Sequence, residues 1–263
     1  KLTFMATSEN LTQAEINKVW SAVWKKDTHA DTYAFFKHRL FIEGYYVFKR
    51  HIPRDAKTIL DVGGGSGRYG IALARDFPNS EVRITDILPE SLTVGRRISK
   101  SLGVSNVKFE QEDVNALSYP DNSFDVVFCD VVIQHLPEST MAICEMLRVL
   151  RPGGRLIVSA ANYWNFHTFG KFMLRLTDRP YSYGYEKSYS SKNLVALIHE
   201  CGGQVIGRDG FYVAYGIFRL RYIHPAFAIV GKMLNRLITY ADRFTDRWFS
   251  RHFGFEIFCV ASK

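Results

Sequence analysis

Four aspartates close or directly follow short apolar runs: Asp61, Asp86, Asp113 and Asp130. Carboxylates in such positions can accept hydrogen bonds from an amine, a ribose diol or an adenine amino group, and they would repel a pyrophosphate. Any one of them could cap a helix instead, but four in succession point to a ligand. Asp61 lies in Ile59 to Gly67 (ILDVGGGSG), an apolar run that enters a glycine-rich turn. Glycines there let the backbone approach a ligand closely, and a helix N-terminus after the turn presents free amides. Gly65 to Gly70 also satisfies GxGxxG, so a nicotinamide-dependent oxidoreductase is an alternative to weigh. The acid ladder favours a ligand without pyrophosphate. Cys129, Cys144, Cys201 and Cys259 are far apart and show no metal-ligand spacing, so they are expected to be buried thiols in a reducing compartment, with no metal site.

The elements that must hold these residues alternate in type. Apolar runs at Thr58 to Val62, Glu81 to Thr85, Val107 to Glu110, Phe124 to Cys129 and Gly154 to Ala160 predict strands, separated by helices at 67–77, 90–102 and 139–150. Alternating strands and helices predict an α/β fold, a parallel sheet with helices on both faces. Ahead of it, residues 1–57 read as a helical cap. Thr12 and Glu15 form a capping-box pattern, and a second helix is expected from Asp31 to about His51. After Ala161 comes an aromatic stretch, 162–190, expected to be a lid over an acceptor pocket. A helix at about 191–201 follows, then a strand near Gln204 to Val213, a helical insertion at 214–253 and a last strand at Glu256 to Ala261.

The ordered set LDVGGGSGRYG (60–70), TD (85–86), EDV (112–114), FDVVFCDVVIQHLPE (124–138) and LRPGGRLIVS (150–159) resembles the class I S-adenosylmethionine (SAM) dependent methyltransferases, of the type that includes the ubiquinone and menaquinone biosynthesis enzymes. The resemblance covers residues 58–161 and implies a Rossmann-like, mostly parallel seven-stranded sheet, with S-adenosyl-L-methionine as cofactor and residues 58–263 as the methyltransferase domain. It places Asp61, Gly63 and Gly65 beside the methionine moiety and Asp86 on the ribose hydroxyls. Ile87 and Val114 would flank the adenine, Asp113 would accept from its amino group, and Asp130 would lie near the sulfonium. Arg151 to Gly154 would be a structural turn. Methyl transfer requires donor and acceptor in line, and removal of a proton where the acceptor is a hydroxyl. His135, just past the fourth strand, is the best placed base. Its bland alternative is to fix the loop or pack beside the cofactor, and His167 and the tyrosines at 181–189 could contribute.

The chain has 263 residues and a net charge of +8, distributed as +4 over residues 1–57, −3 over 58–162, +2 over 163–210 and +5 over 211–263. The positive excess therefore lies in the flanks, where it could meet nucleic acid, an anionic membrane or an anionic substrate. An RNA methyltransferase is the rival, but no Asn/Asp-Pro-Pro-Tyr, Pro-Cys or RNA-binding module is present, so nucleic acid is not the expected partner. A small or lipid-like acceptor methylated on a hydroxyl or an amine is expected, such as a lipid, a quinone-like compound, a glycan or a lipid-linked glycan. In the insertion, Pro225 should open a helix on which Phe227, Val230, Leu234, Leu237, Ala241, Phe244 and Trp248 share one face, with Lys232, Arg236, Arg243 and Arg247 opposite. Such a helix suits an anionic membrane surface, and packing on the sheet or in a homodimer would use the same pattern. No run spans a membrane and the first ten residues lack a secretory signal, so the expected location is cytoplasmic, peripheral on the membrane.

Overall fold

The computed structural model describes residues 12–26, 36–176, 186–222 and 224–263. Its helices are α1 (Gln13–Lys26), α2 (Arg39–Lys49), α3 (Arg68–Asp76), α4 (Pro89–Leu102), α5 (Ser139–Val149), α6 (Phe166–Leu176), α7 (Ser191–Glu200), α8 (Tyr215–Arg219), α9 (Ala226–Ala241) and α10 (Trp248–Phe253). The strands are β1 (Thr58–Val62), β2 (Glu81–Asp86), β3 (Val107–Gln111), β4 (Phe124–Cys129), β5 (Leu150–Ala161), β6 (Gln204–Phe211) and β7 (Glu256–Ser262). They form one sheet in the order β3-β2-β1-β4-β5-β7-β6. The first five run parallel, and β7 is antiparallel to both β5 and β6. Chain direction across the sheet reverses between β1 and β4, which opens a crevice at their carboxyl ends.

Burial explains the apolar runs. Leu60, Val62, Val127, Cys129, Leu156 and Val158 pack on one face with Ile143, Met146, Leu194 and Ile198 of α5 and α7. Ile59, Val126, Phe128 and Ile157 point the other way, onto Phe48 of α2, Ile71 of α3 and Ile98 of α4. Both faces of the central strands are thus covered, so the sequence there is continuously hydrophobic instead of alternating. The expected Arg151 to Gly154 turn lies inside β5, where Gly153 takes φ +76° and the pairing register with β4 shifts between Phe124 and Val126.

Several expectations need correction. The second helix begins at Arg39, with His38 as its N-cap accepting from the Leu40 amide; residues 31–35 lie outside the described residues. Cys144 and Cys201 are not thiols but a disulfide, with Cα atoms 4.9 Å apart. α5 and α7 pack side by side and bring together two residues 57 positions apart, which no local spacing announces. Cys129 and Cys259 do remain buried thiols.

The insertion is not one long helix. α9 starts after Pro225 as expected but stops at Ala241. The Asp242 side chain then accepts from the Phe249 amide at 2.9 Å and the Ser250 amide at 3.1 Å, which folds the chain back, and Arg247 turns with φ +58°. Arg247 is no surface cation, because it donates at 2.8 Å to Asp209, which also pairs with Arg50 of the segment after α2. Nor do the expected apolar residues of α9 share one environment: Phe227, Leu234 and Ala241 are half-buried, whereas Val230 and Leu237 are exposed. The buried positions of α9 are Gly231, packed against Phe218, and Asn235, whose amide reaches Glu43 at 3.2 Å. Ile229, Met233, Leu237, Tyr240 and Phe244 are each more than half exposed. Among the described residues no helix is long and apolar enough to cross a membrane.

Candidate functional site

A cavity of about 340 Å³ opens at the carboxyl ends of β1 and β4. All nine residues expected at the site line it: Asp61, Gly63, Gly65, Asp86, Ile87, Asp113, Val114, Asp130 and His135. Sheet topology accounts for this convergence, since parallel strands deliver their C-terminal residues to one edge.

The glycine turn is shaped for close approach. Gly63 and Gly65 have φ of +66° and +59°, where a side chain would be strained. A Cβ at Gly63 would fall 2.5 Å from Val132, and one at Gly65 2.5 Å from the Trp24 ring. Gly70 serves packing: a Cβ there would strike Ile84 at 2.5 Å, and its amide donates to Asp61 at 3.0 Å.

Each acid also has local partners. Asp86 accepts from the Gly65 amide at 3.0 Å and the Leu88 amide at 2.9 Å, tying the turn to the end of β2. Asp113 accepts from the Asn115 amide at 2.9 Å and is exposed on the rim. Each carboxylate oxygen can accept two hydrogen bonds, so these ties leave capacity for a ligand. Asp61 is buried, and desolvation, reinforced by Asp130 and Asp86, pushes its pKa up to about 8. Asp130 is pushed up to about 6 by burial, and its Oδ1 accepts from Ser159 at 2.6 Å. The same Ser159 hydroxyl accepts from the amide of Val131, a β-branched residue held at φ +51°. Such strain persists only where surrounding bonds enforce it.

His135 lies on a short 3₁₀ turn (Ile133–His135). Its Nε2 is 3.3 Å from the Gln134 amide nitrogen, and its ring meets Trp20 edge-on, with centroids 4.8 Å apart. His167 is elsewhere, in a buried cluster with Lys171 and Glu186, where Lys171 pairs with Glu186 at 2.6 Å. Among the described residues of 162–190, none lines the cavity. Tyr181, Tyr183 and Tyr185, on which the lid expectation leaned, lie outside the described residues.

Of the lining groups that escaped the sequence reading, three bear most on the site. Trp20 and Trp24 of α1 reach over the glycine turn, and Ser21 of the same helix anchors it by donating to Glu90 at 2.9 Å. The signal was present as two tryptophans four residues apart, but it reads equally well as a helix packed on a core. Glu256 is the third. Because β7 runs antiparallel, its first residue arrives at the edge where the parallel strands end.

The chamber suits SAM on its own chemistry. A backbone cradle free of Cβ atoms, two acids at the ends of β2 and β3, and buried acids at the ends of β1 and β4 fit an uncharged nucleoside joined to a cationic sulfonium and ammonium. When bound, SAM supplies the activated methyl group. Asp86→Ala should raise its dissociation constant by about 10- to 100-fold, the loss of one charge-assisted hydrogen bond to a ribose diol, as read by calorimetry. Unchanged affinity would exclude Asp86 from the ribose.

Comparison with known proteins agrees with this fit. The methyltransferase domain family matches residues 53–200. The ubiquinone/menaquinone biosynthesis C-methyltransferase UbiE of Pasteurella multocida is 32% identical over 220 residues, 83% of this chain and 74% of its own. A SAM-dependent methyltransferase of Thermotoga maritima shares the fold with a TM-score of 0.62 at 14% identity, over 93% of this chain and 99% of its own. Phosphoethanolamine N-methyltransferase 2 of Haemonchus contortus, solved with SAM, gives 0.60 at 18% identity over 90% of this chain and 57% of its own. The cofactor chamber, the family match and the relative together place this chain among the class I SAM-dependent methyltransferases.

Proposed function

We propose that the chain methylates a ring carbon of a quinol-like aromatic acceptor taken from an anionic membrane surface. The chamber carries this reading: beyond the glycine turn it is walled by Trp20, Leu40, Phe41, Tyr69 and Leu136, a lining suited to a flat apolar ring. The quinone named for the Pasteurella relative supports the same acceptor class. His135 then takes the structural role, its ring braced on Trp20 and its loop held by Gln134, whose Oε1 accepts from the Ala161 amide at 2.6 Å.

The exposed stripe of α9 supports the membrane part. Ile229, Met233, Leu237 and Tyr240 recur at spacings of four and three, so at about 100° per residue they share one side. Lys232 and Arg236 each precede a stripe residue by one position and border it, with Arg243 just beyond the helix. Apolar insertion and attraction to anionic head groups then act together.

The test is labelled methyl transfer from SAM to a reduced, ring-demethylated naphthoquinone carried in vesicles with and without phosphatidylglycerol. The expected result is ring-methylated product and co-flotation that needs the anionic lipid. Flotation should weaken with salt and on neutralising Lys232, Arg236 and Arg243 together. Label on oxygen, or none, would overturn the acceptor class. A folded dimer that never floats would assign the stripe to a second copy.

A further inference from the structure

Glu256 is 6% exposed and lines the chamber, and no N–H or neutral O–H donor of the described residues reaches its buried Oε2. A buried carboxyl oxygen left unsatisfied costs free energy that a ligand donor can recover. Glu256 and Asp130 are joined by a carboxyl–carboxyl hydrogen bond, and only one of two such groups can ionise readily. Ser159 and the strained Val131 amide fix Asp130 from behind. Tyr69 of α3, also on the chamber wall, feels both carboxyls, which together with burial hold its hydroxyl protonated.

We propose that Glu256, backed by Asp130, binds a hydroxyl of the acceptor and receives its proton at turnover. The proposal rests on the quinol reading. Burial and the neighbouring acid hold Glu256 protonated well above the usual carboxylate range, so the pair carries one proton and one negative charge. The acceptor hydroxyl donates to the Glu256 carboxyl. As its proton transfers there, Glu256 passes the proton it shares to Asp130, and the O–H electron pair stays on the acceptor oxygen and conjugates into the ring. The ring carbon bonds to the methyl group as the methyl–sulfur bond breaks, leaving S-adenosylhomocysteine. Water takes the ring proton at that carbon, which restores aromaticity, and the pair hands its extra proton back to the acceptor oxygen, so one proton reaches solvent for each methyl group transferred.

Binding of naphthohydroquinone and of its dimethyl ether, each with S-adenosylhomocysteine present, tests this beside kcat and KM for the hydroquinone. The unaltered chain should prefer the hydroquinone over the ether by about tenfold, one hydrogen bond to a buried acceptor. Glu256→Gln presents an oxygen but cannot relay a proton, so the preference should survive while kcat falls about 100-fold or more at little-changed KM. Glu256→Leu should lose the preference as well. Equal affinity of the unaltered chain for both probes, or full turnover by Glu256→Gln, would overturn the inference alone. So would a tenfold weaker grip of Glu256→Gln on S-adenosylhomocysteine, which would place the carboxyl on the donor side. If neither probe binds the unaltered chain, the quinol reading fails and takes the inference with it.

Discussion

Replacing Gly65 with alanine is expected to weaken SAM binding by about 100-fold, the cost of a left-handed backbone for a residue with a side chain plus a displaced aromatic ring. The added methyl would lie 2.5 Å from Trp24 Cζ2, so either the turn or α1 must shift. The Trp24 ring also stacks under the Arg68 guanidinium at 5.7 Å, so its displacement loosens the start of α3 too. Calorimetry on the single variants and on Trp24→Ala/Gly65→Ala separates the two costs. If the clash matters, the double variant should recover roughly tenfold over Gly65→Ala, a coupling of about 1.4 kcal/mol. Strict additivity would mean that backbone strain alone acts and that α1 does not rest on the turn.

A second large effect is expected in the pH dependence of stability. Asp61 is moved from an ordinary value of 3.8 to about 8, chiefly by burial. A carboxyl whose folded pKa is raised binds its proton more tightly in the folded state. Its stabilisation is fully present below the unfolded pKa and is lost as pH rises through the folded one. Asp130 and Glu256 are shifted in the same direction, so the cofactor-free protein should be most stable near pH 5 and lose stability toward pH 8. Asp61→Asn keeps an acceptor for the Gly70 amide but carries no charge. At pH 8 its Tm should lie about 4–8 °C or more above that of the unaltered chain, equivalent to at least about 2 kcal/mol, and the gap should narrow as pH falls, closing near pH 4. Scanning calorimetry across that range decides it. Parallel curves would show that Asp61 ionises without penalty and that the chamber is wetter than its burial implies.

The legible part of the fold was the part governed by local pattern. β1 and β4 begin and end where their apolar runs do, because strands buried on both faces have no polar positions to blur the edges. The acids at their ends were legible for the same reason, since parallel strands present their C-termini together. What depended on partners distant in the sequence was not legible. Trp20 and Trp24 look like core residues until α1 is laid across the glycine turn, and Glu256 looks like the start of an edge strand until β7 reverses direction. The Cys144–Cys201 bond needed the packing of α5 on α7. The end of α9 was decided by the Asp242 side chain capping a later turn, which the continuing apolar spacing concealed.

The place of β7 in the sheet has a consequence for how the enzyme is assembled. The last strand in chain order lies between β5 and β6, so β6 joins the sheet only through it. A ribosome that has released residues 58–135 has already supplied the glycine turn and the four aspartates. The carboxyl that closes the far wall emerges more than a hundred residues later. The residues of the donor edge and the carboxyl opposite them are thus separated in the order of synthesis, and only the docking of β7 brings them to one chamber.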